Sequence, residues 1–134
     1  MLVVCAEGSG EGAGRRAEIL VIDDDSGVRE FLIDVLSALG YGAEAVTSGV
    51  EGLRRLGERR YDLVITDYMM PEMTGIEIAE TIRRRYPSQK LLMITGLAGD
   101  PKVDRWRRRG LTVLGKPVHV EHLTAAVAEL LRRS

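Results

Sequence analysis

Five short apolar stretches alternate with five amphipathic helical patterns, and this alternation constrains the fold more than any other feature of the chain. Strands are predicted at 18–22, 42–46, 91–94 and 111–114, and a further run at 63–65 leads into Asp67. Each stretch precedes a segment whose hydrophobic residues recur at helical spacing. Parallel strands need crossover connections, which are right-handed. The sequence therefore predicts an α/β fold, with a doubly wound parallel sheet covered on both faces.

The strand order follows from the composition of the second strand. Residues 42–46 include Gly42, Ala43 and Glu44, which makes this strand the least hydrophobic of the five and suits it to an edge. We therefore expect the flavodoxin-like (βα)5 order 2-1-3-4-5. In that order the topological switch point lies between the first and third strands. Ligands bind at such a point, beyond the carboxyl ends of the strands.

Helix boundaries are marked by capping residues. Ser26 is predicted to cap the first helix, Gly40 to end it, and Asp100 with Pro101 to open the fourth helix. The second helix is predicted to turn three residues inward: Val50, Leu53 and Leu56.

Composition limits the class of protein. The 134 residues fit one domain, predicted at 18–134, with residues 1–17 as a flexible lead-in or linker. The net charge of -1 gives no overall basic field for nucleic acid, and no apolar run approaches the roughly 18 residues of a membrane span. The lone Cys5 and the absence of a secretory pattern fit a reducing compartment. We expect a cytoplasmic protein that binds neither membrane nor nucleic acid directly.

Polar residues follow four of the predicted strands and should rim one pocket: Asp23, Asp24, Asp67, Thr95 and Lys116. Three crowded carboxylates repel one another and need cations nearby. A divalent ion together with Lys116 would supply that charge. Carboxylate and carbonyl oxygens suit Mg²⁺, which commonly accompanies phosphate. The pocket is therefore predicted to carry out phosphate chemistry.

Asp67 is the candidate nucleophile of this pocket. No Cys or Ser is placed to react, and His119 and His122 lie beyond the turn after Lys116. An ionised carboxylate can attack a phosphoryl group without a general base. Thr95 could donate its hydroxyl to the new phosphate.

These motifs resemble the receiver domain of two-component response regulators. They are ILVIDDD at 19–25, DLVITDYMMPEMTG at 62–75, MITG at 93–96 and GKP at 115–117. The resemblance covers about 18–132, with every motif in order.

The resemblance implies a role for each pocket residue. Asp67 would accept a phosphoryl group from the phosphohistidine of a histidine kinase or phosphotransfer protein. Asp23, Asp24 and Asp67 would hold Mg²⁺ with the backbone carbonyl of Met69. Thr95 would be the switch hydroxyl.

Lys116 would contact the phosphate through a cis Lys116–Pro117 turn, by the same resemblance. The fourth helix, fifth strand and fifth helix would present an output face to a downstream protein. The chain would then be a signalling module that assists only its own phosphoryl transfer and dephosphorylation. It could be a stand-alone regulator or the receiver of a hybrid histidine kinase, and we favour the hybrid origin.

Two positions depart from the family pattern. Val113 stands where the family often has an aromatic that rotates inward, and Gly96 stands where alanine is common. Asp25 is interpreted as a helix cap rather than a metal ligand. The arginines around Trp106 are interpreted as a solvated face, with protein docking as the functional alternative.

Two other functional classes stay open. A Mg²⁺-dependent phosphohydrolase with an Asp nucleophile would need a second Asp where Met69 stands. A receiver-like interaction module that is never phosphorylated is kept open by Val113.

Overall fold

A computed structural model describes residues 15–97 and 99–133. Strands and helices alternate along the chain: β1 (Glu18–Ile22), α1 (Ser26–Ala38), β2 (Gly42–Val46), α2 (Gly49–Glu58), β3 (Leu63–Asp67), α3 (Gly75–Arg85), β4 (Leu91–Thr95), α4 (Pro101–Arg108), β5 (Thr112–Gly115) and α5 (Val120–Arg132). Most of the predicted lead-in, residues 1–14, lies outside the described part. Arg15 is within it, and its guanidinium pairs with Asp62 at 3.0 Å.

All strand pairings are parallel, and the order is β2-β1-β3-β4-β5. The α/β flavodoxin-like prediction is therefore confirmed, with β2 at an edge as its composition indicated. The register places Asp67 beside Ile94 and Thr95 beside Gly115. The carboxyl ends of the central strands consequently finish at one rim of the sheet.

The sheet is buried on both faces, as a parallel sheet requires. One cluster of buried residues joins the sheet to α2, α3 and α4, and a second joins it to α1 and α5. Every residue of β3 and β4 is buried, which explains the unbroken apolar runs at 63–65 and 91–94. The residues that end these strands are therefore held by a packed core.

The cap predicted for α1 was wrong by one residue. Asp25, in an extended conformation, is the N-cap, and its Oδ1 accepts a hydrogen bond from Val28 N at 3.1 Å. Ser26 is the first helical residue instead. The interpretation of Asp25 as a helix cap is confirmed. The cap of α4 lies where predicted, because Asp100 accepts from Lys102 N at 2.8 Å and Pro101 occupies the first turn.

The inward face predicted for α2 was also partly wrong. Val50 is 60% exposed, whereas Gly49, Gly52 and Leu56 are buried. The helix backbone packs so close to β1 that a Cβ on Gly52 would lie 2.4 Å from Ile22 Cδ1. A side chain cannot fit at Gly49 or Gly52, so the helix turns these two glycines inward and Val50 outward.

Within the described residues, no helix is both long enough and apolar enough to cross a membrane.

Two glycines of α2 test this close packing. Gly52→Ala is expected to lower the free energy of unfolding by about 1 kcal/mol, because overpacking against the buried Ile22 exceeds the gain in helix propensity. On the exposed side of the helix, a Cβ on Gly57 would meet no atom closer than 3.9 Å. Gly57→Ala should therefore raise the free energy of unfolding by about 0.5–1 kcal/mol. Chemical denaturation of both variants measures the difference. A Gly52→Ala protein as stable as Gly57→Ala would contradict this account.

Candidate functional site

The site lies at the carboxyl ends of β1, β3, β4 and β5. Asp23 follows β1, Asp67 is the last residue of β3, and Thr95 is the last residue of β4. Lys116 follows β5, and its backbone N–H donates to the Thr95 carbonyl at 2.8 Å. The peptide bond between Lys116 and Pro117 is cis, as the resemblance implied. The fold therefore brings together the side chains that the sequence placed at separate strand ends.

Three carboxylates form the negative side of the site. Oxygens of Asp23, Asp24 and Asp67 all lie within 4.8 Å of one another. Asp23 is 1% and Asp67 5% exposed, whereas Asp24 is exposed. Lys116 Nζ lies 3.0 Å from Asp67 Oδ1. One ammonium thus faces three carboxylates, so the cluster carries excess negative charge when all are ionised.

Burial and crowding shift the pKa values of this cluster. Burial raises the pKa of Asp23 to about 6, and repulsion from Asp67 and Asp24 also raises it. The hydrogen bond from the Asp25 amide and the charge of Lys116 lower this pKa but do not outweigh the burial. Burial also raises the pKa of Asp67, although Lys116 opposes the shift. Burial lowers the pKa of Lys116, but the hydrogen bond and charge of Asp67 outweigh it and leave the pKa raised. Each shift indicates a site short of positive charge.

The donor set fits a divalent cation. Asp23 Oδ1 accepts from the Asp25 amide at 2.9 Å, while Asp23 Oδ2 is buried without a hydrogen-bond partner among the described residues. A buried acceptor of this kind costs free energy unless something binds it. Carboxylate oxygens are hard ligands suited to Mg²⁺, Ca²⁺ or Mn²⁺. The cluster could therefore hold a metal ion.

Met69 lies in the exposed loop two residues after Asp67, with its side chain in solvent. In the part of the chain that the structure describes, no hydrogen bond is made to the Met69 carbonyl oxygen. A metal ion bound to that oxygen would therefore displace no hydrogen bond of the described residues.

Thr95 links the pocket to the loop after β4. Its side chain is buried, and its Oγ1 accepts a hydrogen bond from the Leu97 amide at 2.8 Å. A hydroxyl that accepts can still donate its own proton. Any group that draws the Thr95 hydroxyl will therefore also act on Leu97.

Gly75 sets the position of Asp67. Its amide donates to the Tyr68 carbonyl at 2.7 Å, and a Cβ on it would lie 2.6 Å from the Asp67 carbonyl oxygen. The loop between β3 and α3 can fold back onto the end of the strand only because this residue has no side chain. The glycine that opens α3 is thus also a packing requirement of the site.

Two contacts around the site were missed by the sequence reasoning. Arg29 Nη1 donates to the carbonyl of Asp23 at 2.9 Å, and the Tyr68 hydroxyl donates to Asp100 Oδ2 at 3.2 Å. Helical spacing and capping patterns carry no signal for contacts between separate loops. No sequence feature could have identified either pair.

The remaining candidates lie outside the carboxylate cluster. His119 and His122 are exposed and pack edge to face at 5.4 Å. Trp106 is 5% exposed, with the guanidinium groups of Arg109 and Arg83 over its ring at 4.6 and 5.9 Å. The other arginines of α4 are exposed. The interpretation of this patch as a solvated face with a packed tryptophan is therefore supported.

Comparison with known proteins gives a consistent result. A sequence model described as the response regulator receiver domain matches residues 19–128. The response regulator receiver protein CpdR of Brucella abortus is 35% identical over 116 residues, which cover 84% of this chain and 95% of that protein. The response regulator MprA of a Mycobacterium species is 38% identical over 87% of this chain, but this match spans only 51% of MprA.

A solved structure supports the same grouping. The crystal structure of a response regulator receiver domain protein from Clostridium thermocellum superposes with a TM-score of 0.81. Its sequence is 31% identical, and the alignment covers 87% of this chain and 95% of that one.

The raised pKa of Asp23 predicts a pH dependence. Between about pH 4 and pH 6, the Asp23 carboxyl stays protonated in the folded protein but is ionised in the unfolded chain. The free energy of unfolding should therefore fall by about 3 kcal/mol as pH rises through this window. Asp23→Asn keeps an oxygen for the Asp25 amide and carries no charge. We expect metal-free Asp23→Asn to gain stability relative to wild type across the window, as measured by denaturation in chelator. A difference that is constant with pH would contradict this.

Proposed function

The chain belongs to the response regulator receiver domain family, and on that premise we propose that Asp67 is its phosphoacceptor in a two-component phosphorelay. The observation that carries the proposal is the position of the Asp67 carboxylate. It ends β3 at the switch point of the sheet, 3.0 Å from Lys116 Nζ and within the carboxylate cluster. The phosphodonor is a phosphohistidine of a histidine kinase or phosphotransfer protein.

The transfer is a single displacement at phosphorus. An Asp67 carboxylate oxygen forms the new P–O bond, the P–N bond of the phosphohistidine breaks, and its electron pair stays on the imidazole nitrogen, which takes a proton from solvent. Lys116 neutralises phosphoryl oxygen charge. The ion pair with Lys116 also favours the ionised, nucleophilic form of Asp67, against the burial that raises its pKa.

Asp23, Asp24, Asp67 and the Met69 backbone carbonyl would hold Mg²⁺ in this proposal. When bound, Mg²⁺ supplies positive charge that offsets the carboxylates and the phosphoryl oxygens. The orphaned Oδ2 of Asp23 and the free carbonyl oxygen of Met69 support this assignment.

Thr95 converts the covalent change into movement. Its hydroxyl donates to a phosphoryl oxygen, and the shift of Oγ1 breaks the hydrogen bond that it accepts from Leu97. The loop after β4 then rearranges, and with it the face formed by α4, β5 and α5. A downstream protein binds that face in the cytoplasm. The origin of the receiver in a hybrid histidine kinase, with residues 1–17 as its linker, stays a prediction, and a stand-alone regulator is the alternative.

Phosphorylation at Asp67 is directly testable. The protein incubated with acetyl phosphate and Mg²⁺ should gain one labile phosphoryl group by intact mass, and Asp67→Asn should gain none. The matched control is Asp34→Asn on the exposed surface of α1, which should be modified like wild type. Wild type without an adduct would favour an unphosphorylated interaction module. Sustained turnover of a phosphoester would favour a phosphohydrolase.

Mg²⁺ binding predicts a stability change. At a concentration about ten times its dissociation constant, Mg²⁺ should raise the free energy of unfolding by about 1.4 kcal/mol. The increase should be lost in Asp23→Asn, because one ligand oxygen and its charge are removed. Thermal unfolding with and without Mg²⁺ measures both. An equal increase in the two proteins would place the ion elsewhere.

A further inference from the structure

A hydrogen bond joins the end of β3 to the start of α4. The hydroxyl of Tyr68, the residue directly after Asp67, donates to Asp100 Oδ2 at 3.2 Å. The tyrosine is only 6% exposed and belongs to the core cluster that also contains Val103 and Trp106 of α4. The contact therefore spans from the phosphoacceptor strand to a helix of the proposed output face.

Asp100 uses both of its carboxylate oxygens. Oδ1 caps α4 by accepting from Lys102 N at 2.8 Å, and Oδ2 receives the Tyr68 hydroxyl. One side chain thus fixes the first turn of the helix and tethers it to β3.

The backbone of Tyr68 is anchored directly after Asp67. Its amide donates to the Ile94 carbonyl at 2.9 Å, and its carbonyl accepts from Gly75 at 2.7 Å. The ring is therefore attached to a backbone that is fixed at the strand end carrying the proposed phosphoacceptor, and it is buried in the core cluster.

The loop after β4 is held at both ends by groups of this region. Leu97 N donates to Thr95 Oγ1 at 2.8 Å, and Asp100 N donates to the Leu97 carbonyl at 2.9 Å. Leu97 therefore connects the Thr95 hydroxyl directly to Asp100. A movement that begins at Thr95 reaches the tether through two hydrogen bonds.

We propose that Tyr68 and Asp100 are positioning residues, and that their hydrogen bond holds the first turn of α4 in the unphosphorylated protein and opens when Asp67 is phosphorylated. This inference rests on the proposed phosphorylation. At 3.2 Å the bond is longer than the usual 2.5–3.0 Å of an O–H···O contact, so a shift of a few tenths of an ångström breaks it. Phosphorylation that draws Thr95 away from Leu97 supplies such a shift.

Amide hydrogen exchange of α4 tests the tether. In unphosphorylated Tyr68→Phe, exchange across 100–108 should be about fivefold faster than in wild type, the factor for loss of one ordinary hydrogen bond. Phosphorylation with acetyl phosphate and Mg²⁺ should accelerate the hydrogen exchange of the same amides in wild type. In Tyr68→Phe, phosphorylation should increase the exchange rate little further. The control is Tyr86→Phe, which removes a hydroxyl from a tyrosine packed on the same cluster and should behave like wild type.

Substitutions at Asp100 separate the tether from the cap. Asp100→Ser retains a capping oxygen but is too short to reach Tyr68 as well, so it should reproduce the Tyr68→Phe exchange pattern. Asp100→Asn keeps the length, a capping oxygen and a polar group facing the hydroxyl, and should restore the wild-type pattern. Tyr68→Phe combined with Asp100→Ser should be no faster than either variant alone.

The possible failures are distinguishable because intact mass is recorded on every sample. A wild type without an adduct overturns the proposed function and the coupling together. An adduct on wild type and variants, with the same phosphorylation response of α4 in all of them, overturns the coupling alone. If Asp100→Ser shows the wild-type exchange pattern, the coupling is also overturned. This result does not depend on any effect of Tyr68→Phe on folding.

Discussion

The concentration of negative charge at the end of a buried parallel sheet is the constraint on which the rest of the site depends. Parallel pairing forces the carboxyl ends of β1, β3 and β4 to one rim, where Asp23 and Asp67 are almost fully buried. Burial disfavours their ionised forms, and Lys116 offsets only part of that cost. A site with this imbalance is suited to bind a cation and the phosphoryl group whose charge that cation neutralises.

The same region is packed without spare room. Gly75 lets the loop after β3 approach the Asp67 backbone, and Gly52 lets α2 approach Ile22 beneath the acid cluster. Both glycines give up side-chain contacts for a close backbone approach. A larger residue at either position would clash with Ile22 or with the Asp67 backbone, at the ends of the strands that carry the acids.

The hydrogen bonds that connect Thr95 with α4 run along the loop after β4 rather than through the sheet. Val113 is half-buried and packs against the cluster that contains Tyr68 and Trp106, but it has no polar group with which to report on the pocket. Thr95, Leu97 and Asp100 instead form a chain of hydrogen bonds along the loop after β4. The Tyr68 hydroxyl joins these hydrogen bonds at Asp100, from the side of the proposed phosphoacceptor Asp67.

The fold class, the strand order and the residues at the strand ends could all be predicted from the amino-acid sequence. Strands and helices have different hydrophobic periods, and parallel strands need crossover connections, so the alternating pattern predicts the α/β class. A polar residue that follows an apolar run indicates where a strand ends. Asp23, Asp67, Thr95 and Lys116 could therefore be assigned to one rim, and the family motifs gave each a role. Tertiary structure alone decided that Val50 faces solvent and that Arg29 holds the Asp23 carbonyl. It also decided that Tyr68 meets Asp100, 32 residues away, because the distance between packed elements and the path of a loop depend on all side chains at once.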